Sequence, residues 1–181
     1  MTLSSLRKCL VIFLSLLTCI GLCSCNQTAE DHAKEAADAS SLSYPGALYS
    51  ANNGLITFFY QSGTDIVEID VEEPNQVSVY CPEAYSAEIA YTGQRQKMSK
   101  AEKTILATLS DFSVQKTQKA EICGYDAKYI PFSGDKIRQG GVYFFNTARG
   151  FVQIYFLEVD DISEAQHTHF NELLSTLRIH D

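Results

Sequence analysis

The fold is decided by the stretch that runs Val142-Tyr143-Phe144-Phe145-Asn146-Thr147-Ala148-Arg149-Gly150-Phe151-Val152-Gln153-Ile154-Tyr155-Phe156-Leu157. Two runs within it, Val142–Phe145 and Phe151–Leu157, are apolar on both of their faces. Strands with this pattern lie at the centre of a sheet that is covered on both sides. Ala148-Arg149-Gly150, between the two runs, is typical of a turn. The stretch therefore predicts a central antiparallel hairpin with a packing layer on each face.

Shorter strands are predicted around this hairpin. They span residues 48–51, 55–60, 65–71, 76–81 and 129–132, with a less clear strand at 88–91. Strict alternation turns Val67, Ile69 and Val71 to one face and the acidic residues between them to the other. Pro131 predicts that its strand lies at a sheet edge or at a bulge. Gly140-Gly141 indicates a further bulge.

Two amphipathic helices are predicted. Ser99-Lys100-Ala101-Glu102 fits a capping box with Ser99 as the N-cap, and a second helix begins near Asp161. Its N-terminus has two candidate caps, Asp161 with Glu164 and Ser163 with Gln166. The apolar stripes at helical spacing are Ala101, Ile105, Leu109 and Phe112 in the first helix and Phe170, Leu173, Leu174 and Leu177 in the second. The sequence thus predicts one α+β domain, a mainly antiparallel β-sheet packed by two α-helices.

Two short patches resemble a known family. Phe170-Asn171-Glu172-Leu173-Leu174-Ser175-Thr176-Leu177-Arg178-Ile179 looks like the closing helix of the PsbP-like family, and Glu121-Ile122-Cys123-Gly124-Tyr125-Asp126-Ala127 resembles the hairpin that follows its first helix. The resemblance covers about residues 44–179 and implies a PsbP-like α/β/α sandwich. That family includes photosystem extrinsic subunits and bacterial lipoproteins. The resemblance implies a non-enzymatic accessory or binding module and carries over no binding residue.

The first 25 residues indicate export. Arg7 and Lys8 precede a 14-residue apolar run, the layout of a secretory signal peptide. Its end, Leu22-Cys23-Ser24-Cys25, resembles a bacterial lipobox, which predicts a signal peptide at 1–24 and lipidation of Cys25. Cys19 and Cys23 are rival acceptors, but Leu22 is too large for the position before Cys23. A permanent transmembrane anchor is disfavoured because a spanning helix needs about 20 apolar residues.

Composition bounds what the exported chain can bind. Residues 25–43 form a tether poor in large apolar side chains, and residues 44–181 suit one domain. Removing the signal removes two basic residues and no acids, which leaves 12 basic and 22 acidic residues and a net charge of −10. A surface of this charge is expected to repel nucleic acid and anionic lipid headgroups. The sequence predicts no nucleic-acid partner.

Cys81 and Cys123 are the only cysteines of the predicted domain. Neither lies in a metal-ligand spacing, so the sequence predicts no metal site and no cofactor. Outside the cytoplasm the two thiols can pair, closing a loop that contributes roughly 4 kcal/mol in the chain-entropy model. The alternative is two buried free thiols, and the sequence leaves both open because it does not give the distance between them.

The remaining candidate groups favour ordinary structural roles. Glu68, Asp70 and Glu72 share a strand face, where a solvated surface is favoured over a cation site. His167 and His169 point to different sides of a helix, which predicts two surface histidines rather than a metal site. The ten tyrosines and ten phenylalanines are expected mostly in the core, with a pocket as the alternative use.

These observations predict a lipid-anchored protein on the extracytoplasmic face of a bacterial cell membrane. We expect an accessory or interaction protein with an unidentified envelope partner, and no catalytic activity. The alternative is a small-ligand binding lipoprotein that uses an aromatic pocket between the sheet and the helices.

Overall fold

The computed structural model describes residues 39–51, 54–69 and 75–181, which form two antiparallel sheets and two helices. The strands are β1 (Ala47–Ala51), β2 (Ile56–Tyr60), β3 (Ile66–Ile69), β4 (Gln76–Cys81), β5 (Tyr85–Thr92), β6 (Ser113–Val114), β7 (Gln118–Ile122), β8 (Tyr125–Gly134), β9 (Ile137–Asn146), β10 (Phe151–Val159) and β11 (Arg178–Ile179). The helices are α1 (Met98–Thr108) and α2 (Glu164–Ser175). The larger sheet has the order β3-β4-β5-β10-β9-β8-β6, with β7 also paired to β8, and the smaller sheet has the order β1-β2-β11.

The predicted hairpin is confirmed as β9 and β10, in the interior of the larger sheet. β10 pairs with β9 on one side and with β5 on the other. One face of the hairpin presents Val142, Phe144 and Leu157, which pack with Ile105 and Leu109 of α1. The first layer of the domain is therefore α1 on the outer face of this sheet.

The opposite face of the hairpin packs against a second layer. Val152 and Ile154 of β10 lie in one cluster with Phe170 and Leu173 of α2, and Phe58 of the smaller sheet joins them. All five of these side chains are essentially inaccessible to solvent. The domain therefore has three layers: α1, the larger sheet, and α2 with the smaller sheet. This confirms the predicted α+β class with a mainly antiparallel sheet.

The first helix begins earlier than predicted, so the Ser99 capping box is wrong. Its N-cap is Lys97, which makes no side-chain capping bond. Glu102, the expected N3 partner, instead accepts a hydrogen bond from Lys128 Nζ at 2.6 Å on β8. A charge-assisted contact with a neighbouring strand thus replaces the local cap. In contrast, the Ser163–Gln166 capping box of α2 is confirmed, with bonds in both directions at 3.0 and 3.2 Å.

Pro131 does not lie at an edge or a bulge as predicted. On one side it pairs with Gly141 of β9. On the other side β7 pairs with the part of β8 that precedes Pro131 and β6 with the part that follows it, which leaves a gap at Pro131. Gln115 N donates to the Pro131 carbonyl from that side at 2.9 Å. The nitrogen and carbonyl of one strand residue point to the same side, so the absent N–H of Pro131 falls in the gap and removes no bond to β9.

Gly140 and Gly141 are not a bulge either. The β9 ladder is continuous through both residues, and the extra residue of β9, near Arg138, comes just before them. A Cβ on Gly140 would strike the Phe132 ring, and one on Gly141 would strike the Tyr129 ring. The pair is glycine because aromatic rings of β8 cover it on both faces.

The alternation predicted for 65–71 holds only in part. Val67 is half-buried, but Ile69 is 51% exposed and Ile66 41% exposed. β3 ends the strand order of the larger sheet and is short, so one of its apolar residues packs and the others face solvent. Asp70, Val71, Glu72 and Glu73 fall outside the described residues.

No helix within residues 39–51, 54–69 and 75–181 is both long enough and apolar enough to cross a membrane. The signal peptide predicted at 1–24, Cys25 and most of the tether lie outside the described residues.

Candidate functional site

The two cysteines of the domain are free thiols in this structure. Cys81 ends β4 and Cys123 precedes β8, and the strand order places β5, β10 and β9 between those strands. Four steps of about 4.8 Å separate the two strands by roughly 19 Å. A disulfide needs Cα atoms within about 7 Å, so this arrangement corresponds to the alternative of two unpaired thiols. Burial raises the pKa of the Cys123 thiol to about 12.

The histidine expected on the surface at position 169 is buried, and this expectation is wrong. His169 is 7% exposed, and its Nε2 lies 2.9 Å from Oδ2 of Asp65. Asp65 also accepts hydrogen bonds from the Tyr85 hydroxyl and from the Gln61 backbone N–H, the latter at 2.7 Å. A carboxylate with a fully buried side chain therefore has three donors.

Each member of this group is placed by a local feature of the chain. Asp65 follows a tight turn in which Gly63 has a φ of 92°, and the turn brings the carboxylate back onto the Gln61 N–H. Tyr85 begins β5, and its ring stacks on Phe170 with centroids 4.4 Å apart. His169 precedes Leu173 by one helical turn, so it lies on the inner face of α2.

The electrostatics of the group favour an ionised Asp65. Burial raises the pKa of Asp65, but the hydrogen bonds from His169, Tyr85 and Gln61 outweigh it and hold the pKa below its usual value. Because an ionised carboxylate only accepts, His169 carries a proton on Nε2. Burial and the neighbouring Asp65 raise the pKa of Tyr85, which stays a neutral donor.

Tyr44 and Ser43 close this group from the N-terminal side of the domain. The Tyr44 ring lies on His169 with centroids 4.0 Å apart, and its hydroxyl donates to the Phe59 carbonyl at 3.1 Å. The backbone N–H and hydroxyl of Ser43 both donate to Oε2 of Glu172, at 2.9 and 2.7 Å. The segment where the predicted tether meets the domain is thereby bonded to α2.

A cleft of about 300 Å³ opens above the group. It lies between the Ser43–Pro45 segment, the loop after β2 and the first turn of α2. Its lining residues are Ser43, Tyr44, Pro45, Gln61, Thr64, Tyr85, Ala165, Gln166 and His169. The side chains of Gln61 and Thr64, which take no part in the bonds described above, can donate to and accept from a small polar molecule.

A second histidine of α2 also meets a buried carboxylate. Nδ1 of His167 lies 3.0 Å from both carboxylate oxygens of Glu158, which is 0% exposed, and its Nε2 lies 3.0 Å from the Asn171 amide. The arrangement is satisfied when Nδ1–H donates to Glu158 and Nε2 accepts from Asn171. This contact joins α2 to the end of β10 and leaves the ring little capacity for other chemistry.

Other polar side chains of the described residues make local contacts. Thr57 Oγ1 lies 2.9 Å from Nε2 of His180, but Thr57 is 1% exposed and out of reach of a substrate. Within residues 39–51, 54–69 and 75–181, no three His, Cys, Asp or Glu side chains are placed to hold a metal ion. Glu68 bonds to the Tyr80 hydroxyl at 2.8 Å.

Comparison with known proteins shows the fold alone. The chain matches no family model and no curated protein. It is similar to the solution structure of cyanobacterial PsbP (CyanoP) from Synechocystis sp. PCC 6803, with a TM-score of 0.52 and 11% identity over 75% of this chain and 92% of that one. A crystal structure from Bacteroides thetaiotaomicron is 13% identical with a TM-score of 0.41, and the match covers about half of that chain, 49%. The predicted PsbP-like fold is confirmed.

Proposed function

We propose that this protein is a lipid-anchored, extracytoplasmic binding protein of a bacterial envelope without catalytic activity, and that the cleft above His169 binds a small polar ligand. The observation that carries the proposal is the cleft itself. It combines an aromatic floor with hydroxyl and amide groups at its rim. Sites for small molecules have this composition, a largely apolar surface with a few polar groups that fix orientation.

The buried group below the cleft supports the same conclusion. Asp65, Tyr85 and His169 bond to one another, so the ring that forms the floor is held in one orientation. A fully satisfied buried network is rigid. Rigid placement of contacting groups reduces the entropy that is lost when a ligand binds.

The size of the cleft bounds the ligand. Its volume of about 300 Å³ is at the lower end of the range for small-molecule sites. No Lys or Arg lines the cleft, so a neutral ligand fits it better than an anion. Monosaccharides and free amino acids have this size and polarity.

An NMR titration tests the ligand site. The isotopically labelled chain from residue 26 is titrated with glucose, N-acetylglucosamine, glutamine and tyrosine, and amide shifts are mapped. We expect at least one probe to shift the amide signals of cleft residues. Gln61→Ala should weaken the binding of that probe because it removes a lining side chain. The variant keeps the hydrogen bond to Asp65, which comes from the Gln61 backbone N–H. Gln118→Ala on exposed β7 is the matched control. If no probe shifts the cleft, or both variants behave alike, the ligand proposal fails.

The anchor has its own test. Cys25→Ala should block lipidation and leave the 1–24 signal uncut, whereas Cys23→Ala should be processed like the wild type. Mass spectrometry of the protein from a bacterial membrane measures both. An unlipidated mature wild-type chain would contradict the anchor and leave the cleft unaffected.

An accessory role with a protein partner is the second candidate, because β3 offers a surface for it. Ile66 and Ile69 are exposed on a strand that ends the sheet order. An open edge can pair with an extended segment of another chain. Co-purification of one partner from the native membrane, lost in Ile69→Lys but retained in Gln61→Ala, would support this role.

A further inference from the structure

We propose that α1 and the adjoining β6–β8 edge form a basic face that docks the domain on anionic lipid headgroups. Part of this inference rests on the proposed function, because the lipid anchor keeps the domain beside a membrane. The basic face also determines how the cleft is presented.

Charge is distributed unevenly over the chain. Residues 95–128 contain seven basic and four acidic residues, a net charge of +3, whereas the predicted mature chain carries −10. The basic residues of this segment are Arg95, Lys97, Lys100, Lys103, Lys116, Lys119 and Lys128. The expectation that the protein repels anionic headgroups follows from its average charge and does not describe this face.

Three contacts connect α1 with the β7–β8 pair and with the segment before β7. Lys128 on β8 bonds to Glu102 on α1 at 2.6 Å. Hydrogen bonds from Lys128 and from Thr117 lower the pKa of Glu102, so the segment before β7 also reaches α1. Lys119 lies directly opposite Lys128 in the ladder, and paired residues project to the same face.

Several of these lysines are exposed and unpaired within the described residues. Lys100, Lys103, Lys116 and Lys119 are exposed and form no ion pair within the described part of the chain. Leu106, 39% exposed, follows Lys103 by three residues on α1, so it lies beside the basic side chains. Basic residues around one exposed apolar side chain are typical of a membrane-surface contact.

Acidic residues limit the extent of the face. Glu121 and Asp126 oppose each other near the β7–β8 turn and share the orientation of Lys119 and Lys128. The favourable area therefore centres on α1 and on the segment before β7. The net charge of +3 already includes these two acids.

The geometry of the predicted tether allows this orientation. The domain begins at Ser43, which is bonded to Glu172 in the layer opposite α1. Three layers of about 10 Å give a thickness of roughly 30 Å. Residues 26–38, which precede the described part of the chain, can span at most about 43 Å, more than this thickness.

Salt screens the repulsion between the acidic residues elsewhere in the domain and the anionic membrane. The Debye length is about 8 Å at physiological salt, shorter than the thickness of the domain. Charges in the α2 layer are therefore largely screened from the membrane. With α1 on the headgroups, the cleft beside α2 faces the aqueous compartment.

Vesicle sedimentation tests the proposal with the unlipidated chain from residue 26. We expect binding to phosphatidylcholine vesicles that contain 30% phosphatidylglycerol, weaker binding at higher salt, and none to pure phosphatidylcholine. Each lysine near such a surface contributes roughly fivefold. The double variant Lys100→Gln, Lys103→Gln should therefore bind about 25-fold more weakly.

The matched control is Lys136→Gln with Arg138→Gln, which makes the same change in net charge at exposed residues of the β8–β9 hairpin, where Arg138 bonds to Glu164 of α2. It should retain wild-type binding. Equal losses in both double variants, equal binding to both vesicle types, or an acidic protein partner in place of any vesicle binding would each overturn the proposal. These outcomes are independent of whether mass spectrometry finds lipid on Cys25.

Discussion

Replacing Asp65 by asparagine should destabilise the domain strongly. The Asp65 side chain is 0% exposed and accepts bonds from His169, Tyr85 and the Gln61 N–H. An asparagine at this position has only one side-chain oxygen that can accept these bonds. Its NH₂ group would face one of the donors and leave that donor without an acceptor. Breaking a buried charged network by removing one partner costs about 3–5 kcal/mol. At 2–4 °C for each kcal/mol, Asp65→Asn should lower the melting temperature by roughly 10 °C.

The loss should depend on pH in a defined direction. The folded-state pKa of Asp65 is lowered, so the unfolded chain binds the proton more readily. The stability that the ionised carboxylate contributes is fully present above the unfolded-state pKa, about 3.9, and is lost as the pH falls through the lower folded-state value. The difference in unfolding free energy between wild type and variant should therefore be large at pH 7 and shrink below about pH 4.

Urea unfolding followed by circular dichroism at pH 7, 5 and 3 measures this difference. Glu164→Gln is the control, because the Glu164 side chain is 81% exposed and its 3.0 Å pair with Arg138 is a surface contact. It should cost less than about 1 kcal/mol at every pH. A melting temperature within 2 °C of wild type for Asp65→Asn, or a difference that does not change with pH, would refute the reasoning.

Three further experiments test the packing and the thiols. Leu173→Ala should cost about 2–5 kcal/mol and Leu174→Ala clearly less, since only Leu173 is fully buried; equal urea midpoints would contradict the docking of α2. Gly141→Ala should cost about 1–3 kcal/mol in the same assay because its methyl group meets an aromatic ring, and a neutral result would show that the ring moves aside. Cys81 and Cys123 should both react with a thiol reagent after unfolding without reductant, and a mass 2 Da below the reduced chain would contradict two free thiols.

Features that depend on neighbouring residues in the chain could be predicted from the sequence. The apolar runs at 142–145 and 151–157 predicted β9 and β10 because central strands need apolar side chains on both faces. The Ser163–Gln166 box predicted the start of α2, since both of its bonds are made within one turn. Strand β4 was predicted at its observed bounds, Gln76–Cys81.

Features that depend on distant residues could not be predicted. Glu102 bonds to Lys128, 26 residues away, so the prediction that Glu102 takes part in a local capping box was wrong. Gly140 and Gly141 are required by rings on another strand, and no local pattern distinguishes that requirement from a bulge. The basic face likewise becomes visible only when the pairing of β7 with β8 brings its lysines beside α1.

The candidate site occupies an intermediate position, because one of its residues did have a signal. His169 precedes Leu173 by four residues and Leu177 by eight, which places it on the apolar stripe of α2. His167 lies about 200° away from His169 around the helix, so only His169 of the pair falls on this stripe. A buried imidazole needs a polar partner, which means that the stripe implied a hidden acceptor. The sequence does not identify that acceptor, because Asp65 lies 104 residues earlier and meets His169 only when α2 docks beside β5.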